Sequence, residues 1–186
     1  MKPLLFTKVR TVKGPNRANN GDAGIDFYVP QLNINDIESI EINRVMLEKG
    51  YLEFIPKKGE EGISDLKVVM KPGSRLLIPS GIRVLIDPME SMLMVANKSG
   101  ISTKLGLIYT AEIIDSPYTG EVHIGILNPG PEPVSIPLKT NKKIIQLIHV
   151  PIILSTPVEV TYEQYITLAE NWGTRGTKGF GSSDNK

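Results

Sequence analysis

Proline and glycine interrupt this chain so often that no long regular element can run far through it. There are 14 Pro and 17 Gly in 186 residues, and both residue types break helices and central strands. Between the breaks lie short β-type runs: Leu4 to Val9, Ile25 to Val29, Arg75 to Ile78, Ile82 to Ile86, Met92 to Ala96, Ile108 to Ile114, Val122 to Leu127, Lys143 to Val150 and Val158 to Tyr162. The breaks carry turn chemistry at Pro72-Gly73, Pro79-Ser80-Gly81, Asp87-Pro88, Pro117 to Gly120 and Asn128-Pro129-Gly130. Strands at this spacing predict an all-β fold, a jelly-roll-like sandwich or barrel. With 40% hydrophobic residues the chain can bury one substantial core, so a single domain over 1–186 is expected.

Residues 31–66 follow another pattern and are expected to be an insertion within that domain. Ile34, Ile37, Ile40 and Val45 are spaced loosely like a helix, with Gly50 as a stop. Lys57-Lys58-Gly59-Glu60-Glu61-Gly62 reads as an exposed loop. Long surface insertions cost little stability, so an inert decoration is the plain reading of the segment. Its Ile, Val and Leu content leaves open a surface for a protein partner.

Several chemistries are excluded or disfavoured. The chain has no cysteine, which rules out disulfides, cysteine-zinc sites and thiol catalysis. A formal charge of +1 argues against broad nucleic-acid binding. No apolar run approaches the roughly 20 residues of a membrane span. A soluble protein of the cytoplasm, or of the host-cell interior if the chain is viral, is expected.

Five stretches carry candidate chemistry. In the tail, four of the ten residues 173–182 are glycine, interleaved with Arg175, Lys178 and Phe180. Glycines let backbone N–H groups converge on an anion, and an arginine fork suits phosphate oxygens. A loose Gly/Ser terminus is the bland alternative. A dinucleotide or Walker loop is excluded by residue order and by the few residues left after Gly181 for the helix such loops require. In Ile114-Asp115-Ser116-Pro117-Tyr118-Thr119-Gly120, two β-type runs flank a turn and predict a hairpin. Asp115 there is either a turn cap or a general base, and Tyr118 either packing or a platform for a sugar. Lys98-Ser99-Gly100 ends a strand with a cation, a hydroxyl and a tight turn. Gln146 is a polar amide inside an apolar strand, which must find a hydrogen-bond partner. Asp26 in Ala23-Gly24-Ile25-Asp26 opens a strand, where capping or an ion pair is the ordinary role.

In this order the five stretches resemble the five motifs of the trimeric dUTP diphosphatase (dUTPase) family, with the insertion between the first and second. The resemblance covers residues 1–30 and 67–186. It implies a jelly-roll subunit in a homotrimer whose active sites are shared between chains. It further implies hydrolysis of dUTP to dUMP and pyrophosphate, limiting uracil in DNA, with Asp115 directing a water at the α-phosphorus. Ile114 and the third-motif backbone would read the base, while Tyr118 would pack under the deoxyribose. Lys98, Ser99, Gly100 and Gln146 would contact phosphates, with Asp26 as an organising carboxylate. The arm at 171–186 would close as a flexible lid, Arg175, Gly179, Gly181 and Ser182 gripping the γ-phosphate and Phe180 stacking on the base. Mg²⁺ would be held by the triphosphate and by no protein ligand. The chain departs from the family pattern at Lys98, where arginine is usual, at Glu112, where glycine is usual, and at Asn141-Lys142-Lys143 in place of Gly-x-Arg. A dCTP deaminase or bifunctional relative of the same fold is the alternative, although His123 to Leu127 lacks that enzyme's catalytic glutamate. A dUTPase-fold protein whose insertion plays a regulatory role is another.

Overall fold

The computed structural model describes residues 3–59, 62–86 and 90–172, and side chains outside 56–66. It comprises two compact units, Met1–Ile153 and Leu154–Lys186. The first unit is built from eleven strands in three antiparallel sheets, with three short helices. The expected all-β, jelly-roll-like architecture is found.

One sheet has the order β1 (Leu5–Lys8), β5 (Arg75–Leu85), β9 (Glu121–Leu127) and β7 (Ile108–Tyr109). Here two expected strands fuse. Arg75 to Ile78 and Ile82 to Ile86 were separated in the sequence by the turn signal Pro79-Ser80-Gly81, yet β5 runs through it. The register against β9 slips between Pro79 and Arg83, so the Pro-Ser-Gly run makes a bulge instead of a turn. Gly81 takes φ 74°, and the buried Ser80 hydroxyl accepts the Ile82 N–H at 3.2 Å.

A second sheet has the order β2 (Ile25–Tyr28), β11 (Lys143–Pro151), β6 (Ser91–Ala96) and β8 (Ile113–Ile114). The run Ile108 to Ile114, expected as one strand, is divided between the two sheets: β7 pairs with β9 and β8 with β6. The hairpin predicted around Ser116 to Gly120 is therefore not a hairpin. β8 and β9 lie in different sheets, and Asp115–Gly120 crosses from one to the other.

The insertion is part of the structure, not a decoration. Asn33 caps α1 (Ile34–Glu38) through a reciprocal bond with Asp36, and α2 (Glu41–Glu48) follows. Gly50, with φ 70°, ends α2 as expected. Next come β3 (Leu52–Gly59) and β4 (Gly62–Met70), so the predicted loop at 57–62 contains strand residues on both sides. These two strands form the third sheet with β10 (Val134–Leu138), a strand absent from the sequence reading. Ile37, Met46 and Leu52 join the same core as Phe27, Ile78, Leu93 and Ile124. Asn43 of α2, fully buried, donates its amide to the carbonyls of Ile37 (2.9 Å) and Leu77 (2.7 Å) and accepts the Leu77 N–H at 2.8 Å. A side chain thus completes the backbone hydrogen bonding of β5.

In the second unit the run Val158 to Tyr162 is not a strand. Its last residue begins α4 (Tyr162–Trp172). Thr161 and Gln164 form the reciprocal cap, Thr161 N–H to Gln164 Oε1 at 2.9 Å and Gln164 N–H to Thr161 Oγ1 at 3.3 Å. That Thr-x-x-Gln signature outweighs the β-branched run before it. Among the described residues no helix is long and apolar enough to cross a membrane.

Candidate functional site

Antiparallel pairing in the β2-β11-β6-β8 sheet gathers four of the five motifs on one sheet. Asp26 on β2 lies opposite Gln146 on β11, and Gln146 opposite Ala96 on β6, two residues before Lys98. The Gln146 amide donates to the Asn97 carbonyl at 3.0 Å, fixing the entry to α3 (Ser99–Leu105). The partner of the half-buried Gln146 amide is thus the segment after β6 and not a paired strand. Gly24 makes room for it: a Cβ there would sit 2.3 Å from Gln146 Oε1.

Beside these residues opens a pocket of about 380 Å³ lined by Lys98, Ser99, Gly100, Ile101, Lys104, Leu105, Lys142, Lys143 and Gln146. Asp26, only 3% exposed, accepts from Lys98 Nζ at 2.5 Å and from Lys143 Nζ at 2.7 Å. Burial alone would raise the Asp26 carboxyl pKa, but hydrogen bonds from Lys143 and Lys98 outweigh it and hold the group below its ordinary value. One carboxylate therefore organises a pocket carrying four lysines. Lys142 is half-buried, and desolvation draws its pKa down. Such a surplus of cations, of which Lys98 and Lys142 are partly buried, favours a polyanion. Ser99 and Gly100 are not in the tight turn expected from sequence: they start α3, and the first N–H groups of a helix have no intrahelical acceptor. A Cβ at Gly100 would meet nothing within 4 Å, so the space beside it is open.

One departure from the family pattern acquires physical meaning, and nothing in the structure explains that at Glu112. Asn141, where glycine is usual, has φ 63°, and asparagine is among the few side chains that tolerate this left-handed conformation. Its Oδ1 accepts the Lys13 N–H at 3.0 Å, and the turn it makes delivers Lys142 and Lys143 to the pocket. Glu112 is exposed, and its backbone carbonyl accepts the Val95 N–H at 2.7 Å.

Asp115 and Tyr118 are not in this pocket. Leu93 pairs with Ile114, which sets Asp115 level with Met92, whereas Gln146 is level with Ala96. Along the strands they are offset by four residues, about 13 Å at ~3.3 Å per residue, and β6 lies between them. Asp115 is exposed and Ile114 half-buried, while the Asp115 carbonyl accepts the Tyr118 N–H at 3.0 Å. The Tyr118 hydroxyl donates to the Glu121 carbonyl at 2.7 Å, and the ring lies over Gly120, where a Cβ would sit 2.5 Å from the hydroxyl oxygen. Arg175, Gly179, Phe180, Gly181 and Ser182 lie outside the described residues. Lys104, Lys142, Lys143 and Gly24 were given no site role from sequence. The Lys142-Lys143 doublet at the head of a strand was the available signal for the second of these.

Comparison with known proteins assigns the class. The dUTPase family profile matches residues 63–184. Deoxyuridine 5'-triphosphate nucleotidohydrolases are among the relatives: that of Methylococcus capsulatus is 33% identical over 119 residues, covering 63% of this chain and 73% of its own. That of Neisseria meningitidis serogroup C is 28% identical over 155 residues, covering 78% and 97%. Among solved structures, a mutant of the Staphylococcus bacteriophage 80alpha dUTPase with dUpNHpp superposes with a TM-score of 0.66 at 22% identity, covering 98% of this chain and 99% of that one. The dUTPase of S. aureus phage phi11, in a structure visualising its species-specific insert, gives 0.60 at 18% identity over 86% and 96%. The chain belongs to the dUTPase family, and as such is an enzyme of the dUTP diphosphatase class. An insertion between the first and second motifs is consistent with the phage-type structures.

Proposed function

We propose that the protein hydrolyses dUTP to dUMP and pyrophosphate, limiting the uracil available to DNA synthesis, in sites shared between subunits of a homotrimer. The observation that carries this reading is the lysine-lined pocket organised by Asp26 and Gln146 on the same sheet that presents Asp115. Phosphates occupy the pocket, contacted by Lys98, Ser99, Lys142 and Gln146. Asp115 accepts a proton from water as the water oxygen attacks the α-phosphorus, and the bond to the pyrophosphate oxygen breaks. Tyr118 packs against the deoxyribose, disfavouring a ribose 2′-hydroxyl, with the backbone at Ile114 beside the base. Arg175, Gly179, Gly181 and Ser182 grip the γ-phosphate and Phe180 stacks on the base. Positioning and charge neutralisation supply most of the barrier reduction in such displacements.

The separation of Asp115 from the pocket supports a shared site, since one chain's base does not reach its own phosphate pocket. Exposed apolar residues on β1 and β5, Leu5 (57%), Phe6 (44%) and Leu85 (56%), supply surface for association. The lining of the pocket does not suit a protein-held divalent ion. The pocket is cationic, and no group of three or more His, Asp or Glu side chains that could hold a metal is found among the described residues. Mg²⁺ would therefore accompany the triphosphate.

A pyrophosphate-release assay with Mg²⁺ across dUTP, dTTP, dCTP and UTP tests the reaction, with strong preference for dUTP expected. Ammonia release from dCTP would instead establish the deaminase alternative. Asp115→Asn is expected to lower kcat by about 10²–10⁴-fold while nucleotide binding persists. Mixing the impaired Asp115→Asn and Gln146→Ala proteins, with refolding to exchange subunits, should raise activity above that of either alone. No recovery would count against shared sites.

A further inference from the structure

Arg10 sits between the insertion and the loop that carries Asp115 and Tyr118. Its η1 nitrogen donates to Asp36 Oδ1 at 2.7 Å, and its Nε to Glu121 Oε1 at 3.0 Å. Both contacts are partly buried, with 29% of the Arg10 side chain, 23% of Asp36 and 15% of Glu121 exposed. On the insertion side Asp36 is already committed: its other oxygen accepts the Asn33 N–H at 2.8 Å, and its own N–H is held by Asn33 at 2.9 Å. Arg10 therefore grips the cap of α1. On the loop side Glu121 Oε1 also accepts the Gly81 N–H at 2.7 Å, anchoring it to the β5 bulge. The Glu121 carbonyl takes the Tyr118 hydroxyl at 2.7 Å and faces His123 Nδ1 at 2.9 Å. Gly81 is required for this close packing: a Cβ would stand 3.0 Å from Arg10 Cβ, at a residue with φ 74°. Lysine could not reproduce the arrangement fully, because two nitrogens of one rigid fork address two carboxylates in different directions.

We propose that Arg10 is a positioning residue through which helix α1 of the insertion sets the geometry of the Asp115–Glu121 loop and, with it, the enzyme's discrimination at the sugar. The sugar assignment rests on the reading of Tyr118 given above; the coupling of α1 to the loop does not. The insertion is thereby linked to the reaction without contacting substrate: disturbing the α1 cap loosens Glu121, and loosening Glu121 releases Tyr118. Because binding linkage is reciprocal, nucleotide on the loop would in turn stabilise the α1 cap.

Two readouts on the intact protein test this. Hydrogen exchange of the loop amides, that of Tyr118 above all, requires no activity. Arg10→Ala and Asp36→Asn should each accelerate it about tenfold, and the double variant should do no more than Arg10→Ala alone, because both break one linkage. Unchanged exchange in both variants, or additive effects in the double variant, would overturn the proposal. In kinetics Arg10→Ala should raise KM for dUTP and reduce the dUTP-to-UTP preference, each about tenfold. Asp36→Asn should follow in the same direction, and Arg10→Lys should recover part of the loss. A variant that is merely less stable, with KM and sugar preference intact, would refute the positioning role. Tyr118→Ala separates the two levels. If it leaves the sugar preference unchanged, the reading of Tyr118 fails, while the exchange result still decides the coupling.

Discussion

Gly24 lies directly beneath the side chain of Gln146, so that a Cβ at position 24 would stand 2.3 Å from Gln146 Oε1 and 3.1 Å from its Cβ. The glycine is needed here for space, since its backbone is not among those with positive φ. Gly24→Ala should therefore leave the fold nearly intact, shifting Tm by less than about 4 °C. It should swing Gln146 off the Asn97 carbonyl and raise KM for dUTP, measured beside Gln146→Ala as the reference for complete loss of that contact.

Asp26 makes the pocket sensitive to acid. Its folded pKa is held below the ordinary 3.8 after the hydrogen bonds from Lys143 and Lys98 overcome the opposing effect of burial. A depressed carboxylate pKa contributes stability that is fully present above the unfolded value and is lost as pH falls through the folded one. Asp26→Asn is expected to cost about 1–2 kcal/mol at pH 7, the partial exposure of both lysines limiting the loss. The difference from wild type should shrink as pH falls below about 4. Urea unfolding at pH 7, 4 and 3 measures both.

Lys142 should make nucleotide binding fall off at high pH. Burial lowers its pKa from 10.5, whereas a bound anion favours the charged form. KM for dUTP is therefore expected to rise as pH climbs towards 10.5, more steeply in wild type than in Lys142→Met. Comparing the two proteins cancels the titration of the nucleotide itself. At pH 7 the substitution should lower kcat/KM by roughly tenfold, the loss of one charge-assisted contact.

Asn43 tests whether the insertion belongs to the core. Asn43→Ala would strip the partly buried Leu77 N–H and carbonyl of their Asn43 partners, at about 1–3 kcal/mol for each unsatisfied group. A stability loss near 3 kcal/mol in urea unfolding is expected. A loss below about 1 kcal/mol, the range of exposed substitutions, would contradict the buried geometry.

What local chemistry decides was readable from the residues alone. Proline and glycine spacing implied short strands, and β2, β6, β9 and β11 lie close to the runs expected. Gly50 ended a helix because positive φ suits glycine. One misreading arose where two local signals competed, another where a distant strand overrode a local one. Thr161 and Gln164 cap a helix behind the β-branched run at Val158 to Val160, and Pro79-Ser80-Gly81 serves as a bulge when β9 is there to pair with both halves of β5.

The sequence by itself determined the motif inventory, and through it the family: Asp26, Lys98-Ser99-Gly100, Asp115 with Tyr118, Gln146 and the glycine-rich tail stand in a recognisable order. Only the tertiary structure decided which of them meet. Strand pairing unites Asp26 with Lys98, 72 residues away, and with the still more distant Lys143 and Gln146, adds Lys104 and Lys142, and leaves Asp115 on the far side of β6. It likewise set the insertion into the core through Asn43 and tied it to the Asp115 loop through Arg10. The physical reason is that turn and cap preferences act within a few residues. Sheet register and buried ion pairs join residues distant in sequence, and they exist only once the strands have closed around a common core.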